Sequence, residues 1–275
     1  MIPSAPLPSS PQADRTAAPA EAAPASTRIR LWDAPLRLFH WSLVAAVGTL
    51  IVTGRLGGAW MPVHGYAGRA VVGLVAFRLV WGLVGSAPAR FASFWPTPGR
   101  VLAYLRGAWQ GVGHNPLGAL SVLALLTLLA LQAGTGLFGN DDIAYTGPLA
   151  DLISTDQSEA VTRWHHQLAN VLYVLLGLHV GAIVFYRLVK KLDLVKPMLT
   201  GWKEVAAQTP PPRSAPRWAL PIALVLAAAS VYASGAPWLR QDTAAAAVPA
   251  DTAAAAPAVA AVAATPKAAA STPSW

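Results

Sequence analysis

Six histidines punctuate this chain of 275 residues: His40, His64, His114, His165, His166 and His179. An imidazole can ligate a metal, relay a proton or hold a hydrogen bond, and in apolar surroundings it needs one of these to offset the cost of leaving water. His179 states that need most sharply. It stands between "LLGL" and "VGAI" within "RWHHQLANVLYVLLGLHVGAIVFYRLVKK", residues 163–191, with no polar neighbour in sequence. An ionisable side chain inside such a stretch is functional by default. His114 falls in a basic loop, where a solvated or headgroup-level histidine is the simpler reading.

The elements that must position these groups follow from composition. Hydrophobic residues make up 55% of the chain and charged residues 12%, and the mean hydropathy is +0.46, which excludes an ordinary soluble domain. Five stretches have the apolar length of a bilayer span: Leu38–Thr53, Val63–Val84, Leu117–Phe138, His166–Val189 and Trp218–Trp238. Before the first, "RLWDAPLRLF" is amphipathic, with Trp32 and Trp41 placed to anchor it in the interface. The Pro/Ala/Ser-rich start and the Ala/Pro-rich run after Arg240 are too poor in large apolar groups to fold, so both are expected to be disordered tails. The start also lacks the apolar core of a signal peptide.

Charge orients the thread. The loop Gly85–Pro116 holds Arg90, Arg100 and Arg106 and no acid, and Arg187–Arg217 holds seven Lys/Arg against Asp193 and Glu204. In contrast, Gly139–Trp164 holds five acids and Arg163 alone. Basic short loops stay in the cytoplasm, so the N-terminus is expected inside and the C-terminus in the periplasm of an inner-membrane protein. The net charge of +8 is thereby accounted for by loops facing lipid and cytoplasm, with no call for nucleic acid.

Depth then pairs the histidines. Fourteen residues separate His165 from His179, close to four turns, so both face one side of a helix at levels roughly 21 Å apart. With span one starting inside and spans two and four starting outside, His64 meets His165 near the outer face and His40 meets His179 toward the inner face. Two opposed imidazoles fill the axial positions of a haem iron, whereas a structural zinc wants four protein ligands. The chain has no cysteine, which removes thiolate-held metals and covalent haem. Two haem b groups are therefore expected. His166 competes with His165, since neighbours point about 100° apart; the helical angle favours His165 without settling the choice. Arg55, Arg69 and Arg78 are candidate partners for haem propionates, although Arg55 and Arg78 could equally snorkel to the interface.

The motifs "FHW", "HGYAG" and "WHHQLANVLYVLLGLH" resemble the bacterial di-haem cytochrome b561 family and its relatives, the membrane cytochrome b subunits of nickel–iron hydrogenases. The resemblance covers about Arg30 to Pro197 and implies His40, His64, His165 and His179 as axial ligands, with the "WH" alignment selecting His165 over His166. It also implies electron exchange between a membrane quinone and a redox partner such as a periplasmic cytochrome c or a hydrogenase.

The expected fold class is all-α: an integral membrane four-helix haem-binding bundle over residues 30–200, with a linker and one additional C-terminal transmembrane helix over 201–240. Tails at 1–29 and 241–275 complete the chain. The expected role is the electron-transfer component of an oxidoreductase system in the bacterial membrane. The rivals are a superoxide-oxidising or metal-reducing cytochrome acting at the outer haem, and a non-redox membrane anchor.

Overall fold

The structure, a computed structural model, describes residues 26–143 and 145–237. Most of both expected tails, and the last three residues assigned to the final span and linker, lie outside the described residues.

A short strand β1 (Ser26–Arg30) leads into helix α1 (Ala34–Leu56). Asp33 caps α1 by accepting from the Leu36 N–H at 2.7 Å, with Pro35 in the first turn, where its missing N–H costs nothing. The helix starts earlier than the apolar run because this cap sits ahead of it. Gly57 and Gly58, at φ 63° and 51°, reverse the chain into α2 (Met61–Val84); that left-handed backbone is open to glycine at little cost. Two short helices, α3 (Phe91–Phe94) and α4 (Pro98–Leu105), precede α5 (Pro116–Phe138), capped by Asn115. A compact loop closed by an Asn140–Thr146 bridge leads to α6 (Thr155–Leu188), the longest element, started by a Ser154/Gln157 capping box. Then come α7 (Val195–Thr200), β2 (Trp202–Ala206) and α8 (Ala219–Ser234).

The chain is mostly helical, and α1, α2 with its preceding turn, α5 and α6 are each long and apolar enough to cross a membrane, with mean hydropathies of 1.5 to 2.1. Helix α1 packs on α2, α5 on α6, and α2 on α5. Helix α6 buries only Ser158 and Leu172 along its 34 residues, leaving Val174, Leu178 and Val184 outward. That pattern suits a helix whose solvent is lipid.

The fifth apolar stretch forms α8, whose 16 residues rise about 24 Å. It lies against α2, where Ala219 and Ala223 are fully buried and a Cβ on Gly73 would come within 2.4 Å of Val231. Small residues here let the two backbones approach. Gly73 is nine residues from His64, half a turn round α2, so α8 occupies the side opposite His64.

At the basic-loop end the structure adds pairing that the sequence reading lacks. β1 and β2 run antiparallel from Ser26↔Ala206 to Arg30↔Trp202, and the N–H groups of Leu31 and Trp32 donate to the Gly201 carbonyl. The Arg37 side chain donates to Leu199 O and Trp41 Nε1 to Met198 O. Trp32 itself is core, 7% exposed, packed with Leu36, Phe39, Phe77 and Trp81. It does not anchor an interface.

Candidate haem-binding site

His64 on α2 and His165 on α6 come together with ring centres 6.3 Å apart and planes at 74°. Each rests against a Thr-Gly pair near the end of a neighbouring helix. On α1, the Thr53 hydroxyl donates to Thr49 O at 2.7 Å and lies 3.1 Å from His64 Nδ1. On α5, the Thr135 hydroxyl donates to Leu131 O at 2.9 Å and lies 3.1 Å from His165 Nδ1. A hydroxyl has one proton, already given to a carbonyl, so toward the imidazole it accepts. His165 Nδ1 also lies 3.0 Å from the Gln132 carbonyl oxygen, which can only accept. Both rings therefore carry their proton on Nδ1, which leaves Nε2 as the metal-facing lone pair; that of His165 accepts from the Gln132 side-chain amide at 3.0 Å, a contact a bound metal would replace.

The glycines make room for those rings. A Cβ on Gly54 would stand 3.1 Å from His64 Cε1, and one on Gly136 would stand 3.1 Å from His165 Cε1. The sequence signal for this arrangement is "TG" one turn from the ends of α1 and α5, which the histidine spacing did not bring forward.

Around the pair opens a cavity of about 510 Å³ whose lining includes Arg55, Arg69, His166 and Tyr173. Arg55 lies over the Tyr173 ring at 5.0 Å and Arg69 over Tyr66 at 4.9 Å. The His166 ring centre is 6.3 Å from that of His165. Beside the cavity mouth Tyr145 packs against Gly65; burial raises its phenol pKa, with Arg69 opposing.

His40 and His179 are close enough to interact electrostatically. His40 Nδ1 is buried without a partner among the described residues, and His179 Nδ1 lies 3.5 Å from Ser121 Oγ. Arg78 does not join the outer cavity. It is 3% exposed, under Phe91 at 4.6 Å and Phe94 at 6.0 Å, in the field of Asp33. His114 is not the solvated loop histidine its sequence context suggested: Trp32 and Phe94 hold it, both ring centres at 4.6 Å.

The residues fit haem ligated by pairs of histidines. Among the described residues there is no group of three or more His, Cys, Asp or Glu that could hold a metal ion. Two metal–imidazole bonds of about 2 Å each would set opposed ring centres about 6 Å apart, the separation seen for His64 and His165.

Residues 31–201 match the prokaryotic cytochrome b561 family. A protein of Azotobacter vinelandii named a probable Ni/Fe-hydrogenase B-type cytochrome subunit is 27% identical over 217 residues, covering 64% of this chain and 89% of that protein. One of the same name from Rhizobium leguminosarum bv. viciae is 23% identical over 209 residues, covering 63% and 87%. No solved structure matches the chain. The resemblance read from the histidine motifs thus holds across most of the helical part, and the chain belongs to the prokaryotic cytochrome b561 family: a multi-pass bacterial membrane cytochrome of b type that carries electrons through haem.

Proposed function

We propose that the chain holds two haem b groups, one between His64 and His165 and one between His40 and His179, and passes single electrons across the bilayer between the quinone pool and a periplasmic redox subunit. Haem iron with both axial positions taken by imidazole exchanges electrons rather than binding oxygen. The observation that carries this reading is the outer pair, with its two Nδ1 protons given to acceptors and ring centres 6.3 Å apart.

The chain's own residues do the rest. Thr53, Thr135 and the Gln132 carbonyl fix ring orientation and raise ligand basicity. Arg55 and Arg69 face the outer cavity, where their guanidinium groups suit haem propionates. Arg78, with Nη1 buried and unpartnered among the described residues, suits a propionate at the inner level. The Lys/Arg bias of the loops supports an N-terminus in the cytoplasm, with α8 as a fifth, short span that would bring the chain to the periplasm. The acidic loop after α5 offers a basic partner an electrostatically matched surface. The names of these relatives make a hydrogenase the first partner to test.

A reduced-minus-oxidised spectrum with haem quantitation tests the ligand sets. The wild type should carry two haems per chain; His64→Ala and His179→Ala should each lose one, with different residual potentials. Colourless wild-type protein, or full haem content in His179→Ala, would overturn the assignment.

A further inference from the structure

We propose that the basic-loop end of the protein carries a binding surface for anionic phospholipid, built on α4 and on the turn between α6 and α7. Leu102 and Leu105 enter the acyl region there, and Arg106, Lys190 and Lys191 hold the headgroup phosphate. The inference stands on the membrane-spanning helices and needs neither the haem nor the quinone reading.

Helix α4 is fixed through Tyr104 and apolar on another face. The hydroxyls of Tyr104 and Tyr186 are hydrogen-bonded to each other, and the side-chain amide of Asn115, the cap of α5, donates to Tyr186 Oη at 2.7 Å. This tie holds α4 against the ends of α5 and α6. Leu102 and Leu105, three residues apart and so on one face of the helix, are left 46% and 66% exposed, with Trp95 just before the helix at 55%. Because α4 lies in the loop between two spans, α2 and α5, this apolar face stands at the bilayer surface, the setting of an in-plane amphipathic helix. Trp95 has the place of an interfacial anchor.

The charges sit at the same end. Arg106 is two residues past Tyr104 and Lys190 about one turn past Tyr186, so the tyrosine tie brings both cations to one place. Lys191 takes φ 55°, a left-handed conformation that residues other than glycine seldom adopt, and the Leu192 N–H donates back to Tyr186 O at 3.0 Å. Lys190 and Lys191 are thus held in a turn folded onto the end of α6. Among the described residues Arg106, Lys190 and Lys191 are in no ion pair. The acid nearest Lys191 in sequence, Asp193, is engaged by Arg187 at 2.7 Å and accepts from the N–H groups of Val195 and Lys196 at 3.0 Å. Arg100 stays out of the set because its guanidinium donates to the carbonyls of Ser93 and Trp95.

Uncompensated cations beside exposed leucines match a ligand with an acidic head and an apolar body. An acidic protein surface would match the charges and leave Leu102 and Leu105 in water. A zwitterionic lipid would match the leucines and bring a cation of its own to the charges. Anionic phospholipid satisfies both.

Fluorescent phosphatidylglycerol and phosphatidylcholine, titrated separately into the purified holoprotein in maltoside detergent, test this. Phosphatidylglycerol should bind tighter by roughly tenfold or more, a preference that shrinks as salt is added and whose measurement needs no variant. The triple variant Arg106→Gln/Lys190→Gln/Lys191→Gln should bring it to the phosphatidylcholine level, and Leu102→Ser/Leu105→Ser should weaken both lipids. Arg28→Gln/Arg30→Gln/Lys196→Gln removes as many charges from β1 and α7 and should keep the preference. Far-UV circular dichroism should match wild type throughout. No preference in the wild type, equal losses in the two triple variants, or wild-type binding by the leucine variant would overturn the proposal. So would displacement of the lipid by inorganic phosphate, which would mark a site for the free anion.

Discussion

A histidine ligand is only as good as the group that fixes its other nitrogen. His64 and His165 each find a threonine whose proton is already engaged, but His165 has the Gln132 carbonyl as well. Thr53→Val should therefore weaken haem retention at the outer pair more than Thr135→Val, by roughly tenfold or more. Haem-to-protein ratios under imidazole competition measure it, and equal losses would contradict the asymmetry. The third histidine of note, His114, has its pKa lowered from 6.5 to about 4 by burial first and Arg78 second. Between those values the unfolded chain takes up a proton that the folded chain refuses, so stability is fully present above pH 6.5 and falls as pH drops toward 4. Thermal melts from pH 7 to 4.5 should show a steeper decline for wild type than for His114→Phe.

At the scale of elements, α2 is shared between two neighbours: one side brings His64 to the cavity it shares with His165 and the opposite side receives α8. Gly73→Leu drives a side chain into Val231 and the Ala227 carbonyl. Overpacking of this kind costs about 1–3 kcal/mol, so the melting temperature should fall while the haem spectrum stays unchanged. A lost spectrum would mean that α8 braces the haem site. The strands β1 and β2 show why short elements escape a sequence reading. "STRIR" and "WKEVA" are five residues each, pair across 172 to 180 positions, and lie almost wholly within the segments read as tail and linker. Only the meeting of α7 and β2 with the start of α1 gives them partners.

For the whole molecule, orientation rests on the distribution of Lys and Arg among the loops. The absence of cysteine makes single-cysteine labelling clean. Ile143→Cys, at a loop position 94% exposed, should react with an impermeant maleimide added to intact spheroplasts. Ala108→Cys, in the basic loop, should react only after permeabilisation. The reverse pattern would invert the topology and exchange the inner and outer histidine pairs.

The four long apolar helices, the histidines at two levels and the family were legible in the chain itself. Hydropathy over about 20 residues and helical periodicity are local properties that lipid enforces strongly. Three things waited for the tertiary structure: the Thr-Gly seats under His64 and His165, the removal of Arg78 to an aromatic pocket, and the enclosure of His114 between Trp32 and Phe94. Each depends on contacts between residues 11 to 82 positions apart. Such contacts form only when helices have chosen neighbours and rotations, and no local pattern in the sequence encodes that choice.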